Sequence, residues 1–159
     1  MAADEDSQVN EVLVYFRSVA PKDVLRTVAI LESKGWNLQG VRGGSSEPFG
    51  NVLVQLTSTE GAIKIVRDRS QWMMDIKLAS WSSWFDLGVV IDAKEGRRSW
   101  GASFGNPYTV KQLPPGVRWA AVLPEMLAWL SGVNDIESQL TDCRERRFES
   151  FFPGLHADE

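Results

Sequence analysis

The sequence predicts an α+β fold: a mainly antiparallel sheet of about five strands, packed by an early helix and two C-terminal helices. Three observations carry it. Segments with a period of two fill the first half of the chain, segments with a helical period close it, and no repeat or interdomain linker interrupts them. A single domain over residues 9–152 is expected, with 1–8 and 153–159 as flexible ends.

"EVLVYF" (11–16) is apolar on both phases and reads as a buried strand. In "APKDVLRTVAILESKG" (20–35), Val24, Leu25, Val28 and Leu31 share a helical stripe, Pro21 suits the first turn and Gly35 a C-terminal cap. "VRGGSSEPFG" (41–50) is a loop by composition. "NVLVQLT" (51–57) is a strand with Val52, Val54 and Leu56 on one face.

"AIKIVRDR" and "WMMDIKLA" form an antiparallel hairpin turning near Ser70–Gln71. Trp72, Met74, Ile76 and Leu78 share one face, and Met73, Asp75, Lys77 and Ala79 the other. "LGVVIDA" (87–93) fits a fifth strand or a short helix equally. A Gly/Pro-rich connection occupies 97–116.

Beyond it, Trp119, Leu123, Met126, Leu127 and Leu130 mark a helix that Pro124 should kink or restart. After Gly132, Asn134 or Asp135 can cap a last helix with Ile136, Leu140 and Cys143 inward.

Composition narrows the chemistry. The chain has 159 residues, 43% hydrophobic and 24% charged, with a net charge of -4. That suits a soluble globular protein and argues against nucleic acid as a partner, which calls for a clustered basic face. "RDR" (67–69), "GRR" (96–98) and "RERR" (144–147) are each diluted by acids. One cysteine excludes a disulfide framework and a multi-cysteine zinc site. No signal-like start and no long apolar run is present, so a cytoplasmic location without membrane insertion is expected.

"GASFG" (101–105) matches G-x-S-x-G, but an Asn-Pro and a Pro-Pro oppose the helix that must follow Ser103. The sole histidine, His156, lies near the end of the chain. No phosphate loop, HExxH or calcium-loop pattern occurs. Neither cofactor nor metal is expected, and no catalytic residue is assigned.

Trp81, Trp84, Asp86, Asp92 and Glu95 remain. Seven tryptophans are many to bury, and "SWSSWFD" (80–86) lies beyond the alternating strand, followed by acids. Exposed indoles with charge at the rim suit a protein interface, Trp84 serving as the apolar anchor. The rival is that these tryptophans close the edge of the core without a partner. The second functional reading is a small enzyme or ligand-binding domain using Asp86, Asp92 and Glu95 as paired carboxylates on a sugar-like or other polar substrate. The oligomeric state is left open.

"VRDRSQWMMDI" (66–76) followed by "WFD" (84–86) resembles an element recurrent in small bacterial proteins among the presumed immunity proteins of polymorphic toxin systems. There it has the form V-R-D-R-G-Q-W, an alternating strand, then W-F-D. The late Leu-rich helix and "RERRFESFFPG" (144–154) are similar too, so the resemblance covers 62–95 and, loosely, 117–154. Ser70 stands where glycine is usual, and the segment after Asp86 differs. The resemblance implies a non-catalytic inhibitor that binds a cognate toxin and blocks its active site. Such proteins are often acidic because many of their targets are basic.

Overall fold

A computed structural model describes residues 2–95 and 118–151, which divide into two units between Trp84 and Phe85. The first unit opens with two helices, α1 (Ala2–Val19) and α2 (Lys22–Ser33). An antiparallel meander follows: β1 (Asn37–Gly43), β2 (Val52–Ser58), β3 (Gly61–Asp68) and β4 (Gln71–Leu78). The sheet order within this unit is β1-β2-β3-β4, and a two-residue strand, β5 (Phe85–Asp86), opens the second unit. The expected α+β class with a mainly antiparallel sheet, five strands in all and helices early and late, is what the chain forms.

The stretch 11–16 is helical, which corrects the strand expected there. Its burial shows why. Val12 and Phe16, four residues apart, are buried, while Val14 between them is 70% exposed. A strand would put all three on one face; a helix separates Val14 from the other two. An apolar run of six carries both periods, and packing decided between them. The Phe16 ring meets Trp72 of β4 edge-on at 5.9 Å, which seats α1 on the face of Val52, Val54, Leu56, Ile63, Ile65, Met74 and Ile76. Gly40 of β1 admits the helix closely. A Cβ there would stand 2.8 Å from both the Val12 Cβ and the Val9 carbonyl oxygen.

Helix α2 buries Val24, Thr27, Val28 and Leu31, and Leu25 is only half-buried. Pro21 sits at the N-cap. Gly35, at φ 91, closes the helix as expected: its N–H donates to Glu32 O and the Trp36 N–H to Leu31 O. Strand β1 was not foreseen and overlaps the expected loop at 41–43. It is an edge strand carrying two glycines, with only Gly40 buried, so it shows no alternation. A bulge falls between Gly40 and Arg42.

The β3–β4 hairpin turns through Arg69 and Ser70, both at positive φ (51° and 67°), between paired Asp68 and Gln71. This is a two-residue turn of the I′ kind, whose twist suits a hairpin. The Asn51 side chain braces it, donating to Asp68 Oδ1 and accepting from the Arg69 N–H.

In the second unit, 87–95 is helix α3 (Leu87–Glu95), which settles the strand-or-helix alternative. Val89, Val90 and Ile91 are all buried, as in a helix enclosed on most sides. It packs on α4 (Trp119–Gly132) and α5 (Ile136–Phe151). Trp119, Leu123, Met126 and Leu130 are buried on α4, and Ile136, Leu140 and Cys143 on α5. Helix α4 runs on through Pro124 without restarting. Asp135, just before α5, has φ 57, outside the extended region of an N-cap. The 97–116 connection, Ser103 and His156 lie outside the described residues. No described helix is long and apolar enough to cross a membrane.

Candidate functional site

Alternation along β2, β3 and β4 divides each of these strands into two faces. Val54, Ile63, Ile65 and Ile76 point to the helices and have no exposure. The opposite face is half-buried throughout β2 and the body of β3 and β4. Register assembles it from three cross-strand rows. Leu53, Val66 and Met73 make an apolar row at one end, Gln55, Lys64 and Asp75 the middle, and Thr57, Ala62 and Lys77 the far end.

Trp84 joins the middle row. The Lys64 Nζ lies 3.9 Å from the centroid of its ring, within cation–π range. Lys64 therefore serves two neighbours, the indole and the Asp75 carboxylate opposite it. Burial pushes the Asp75 carboxyl above its ordinary value, and the Lys64 charge pulls it back in part. A half-buried aromatic, a cation and a carboxylate thus share one sheet face with three apolar side chains.

The residues singled out from sequence fall in both units. Trp84 is half-buried. Trp81 is 6% exposed, so of the two alternatives left open for it the core edge is the one that its burial fits. Its N–H donates to the Leu78 carbonyl, so the chain folds back after β4 and carries the indole into the core. In the second unit, Asp86 is 8% exposed and its Oδ1 accepts from the Val89 N–H at 3.2 Å. That is an N-cap bond at the start of α3. Asp92 has no exposed surface. The side chain of Glu95 lies outside the described ones.

Lys64 and Asp75 were missed as site residues. Their signal exists in the alternation, which puts each on the face away from the helices, but only the β3–β4 register sets them opposite each other. Elsewhere in the second unit, the Arg144 guanidinium lies 4.7 Å from the Phe85 ring centroid and Lys94 pairs with Glu125 at 2.9 Å. The Cys143 thiol donates to the Val89 carbonyl at 3.7 Å, a buried position that suits a packing residue. Among the described residues no group of three His, Cys, Asp or Glu side chains could hold a metal ion. Comparison with protein-family models, curated proteins and solved structures finds no match to this chain.

Proposed function

We propose that this chain is a non-catalytic protein-binding protein of the immunity type, acting in the cytoplasm by occluding a cognate toxin domain with the sheet face around Trp84. The observation that carries the reading is the cation-braced indole. Lys64 holds the Trp84 ring at the middle row of the sheet face, and the apolar row of Leu53, Val66 and Met73 adjoins that middle row on the same face. Such anchors with charged neighbours dominate the energetics of protein interfaces. The net charge of -4 favours encounter with a basic partner. The alternative use of paired carboxylates is disfavoured by what two of the candidates do: Asp86 caps α3 and Asp92 is sealed from solvent.

A photo-crosslinking amino acid in place of Trp84, expressed in the native host, tests this directly. A covalent adduct is expected with a basic toxin domain whose activity the purified wild-type chain inhibits and Trp84→Ala inhibits at least tenfold less well. No polypeptide adduct, or an adduct partner whose activity the chain leaves untouched, would remove the reading.

A further inference from the structure

The large apolar residues that stand most open among the described ones are Val14 and Phe49, both 70% exposed. They belong to one stretch of surface. Val14 precedes Tyr15 on α1, and the Tyr15 hydroxyl donates to the carbonyl of Gly50, the residue after Phe49, at 2.9 Å. Asp6, Asn10, Glu11, Val14 and Tyr15 line one open face of α1. Neither Asp6 nor Glu11 makes an ion pair among the described residues.

Phe49 is held out at a cost. Its φ of 58° and ψ of 15° are left-handed, a region bulky L-residues avoid. The turn that imposes them is pinned, since the Gly50 carbonyl also accepts from Arg67 Nη1 at 3.3 Å. The Arg69 guanidinium lies 5.6 Å from the Phe49 ring centroid and makes no ion pair among the described residues. One end of this surface therefore offers a rigid aromatic with a cation, and the other an exposed helix face with Val14 and two carboxylates.

We propose that this surface is a self-complementary dimer interface. Phe49 of one copy packs on the α1 face of a second copy beside Val14, and Arg69 pairs there with Glu11. A two-fold axis brings each half against its complement twice, as an isologous interface requires. Aromatic and arginine side chains are the residue types that anchor such contacts. Tyr15 and Arg67 lie on the helix side of the sheet and Lys64 with Trp84 on the other, so association leaves the Trp84 face free. The dimer stands or falls separately from the toxin-binding reading.

Sedimentation equilibrium of the full chain from low to high micromolar concentration is the test. The wild type should dimerise, and more weakly at high salt. Phe49→Gly removes the anchor while relieving the left-handed backbone. It should raise the dimer Kd by about tenfold or more without lowering the melting temperature. Arg69→Glu should weaken the dimer similarly, and the double variant Arg69→Glu with Glu11→Arg should restore it. A wild type that stays monomeric throughout overturns the proposal. So does a dimer unaffected by Phe49→Gly, or one whose Arg69→Glu defect Glu11→Arg fails to repair.

Discussion

The Lys64 ammonium lies 3.9 Å from the centroid of the Trp84 ring, while strand register sets the same residue directly opposite Asp75. Lys64→Met keeps the length of the side chain and removes its charge. It should cost about 0.5–2 kcal/mol, the range for a cation–π contact between exposed and desolvated sites. In fluorotryptophan-labelled protein, the 19F resonance of Trp84 should shift while that of buried Trp36 stays in place. An unmoved Trp84 signal would mean that the cation does not hold the ring in solution.

Asp75 gives the molecule a pH signature of definite sign. Its folded carboxyl titrates above the ordinary value, chiefly because burial disfavours the charged form. The folded state thus binds this proton more tightly than the unfolded state. Its contribution to stability rises as pH falls through the folded value and levels off below the ordinary one. Asp75→Asn should be more stable than wild type at neutral pH, and the advantage should shrink on acidification through that window. Urea denaturation of both proteins across acid to neutral pH reads the difference. An Asn variant less stable at neutral pH would show that the Lys64 attraction outweighs burial.

Asp86 was a candidate for steering a partner, yet its carboxylate bonds the Val89 N–H. As a cap it should lose about 0.5–2 kcal/mol on Asp86→Ala and keep most of that stability in Asp86→Asn, which can accept the same bond. Chemical denaturation separates the two variants. Equal stability of Asp86→Ala and wild type would release Asp86 from the structural role and return it to the surface.

The hairpin turn carries a strain that one substitution should relieve. Ser70 sits at φ 67°, where glycine carries no Cβ penalty. Ser70→Gly should stabilise the protein by about 1 kcal/mol, whereas Ser70→Val should destabilise it by at least as much. A neutral Ser70→Gly would indicate that hydrogen bonds at the turn already offset the left-handed backbone.

Periodicity alone located β2, the β3–β4 hairpin, α2 with its Gly35 cap, and the buried stripes of α4 and α5. Each of these segments repeats its apolar residues long enough for one period to win. The segment 11–16 is too short for that, and the environment of Val14 and Phe16 chose the helix. Strand β1 left no apolar alternation because an edge strand over a closely packed helix needs glycine at residue 40 rather than a side chain.

The candidate site divides the same way. A tryptophan beyond a strand is visible in sequence, so Trp84 could be singled out. Trp81 in the same stretch could not be told from it, because a turn back onto Leu78 buries one indole and leaves the other half-covered. Sequence by itself determined the class of the fold, the faces of its longer elements and the acidic charge of the chain. Tertiary structure decided that Lys64, Asp75 and Trp84 share one place, because cross-strand register and the path after β4 are long-range facts that no local pattern encodes.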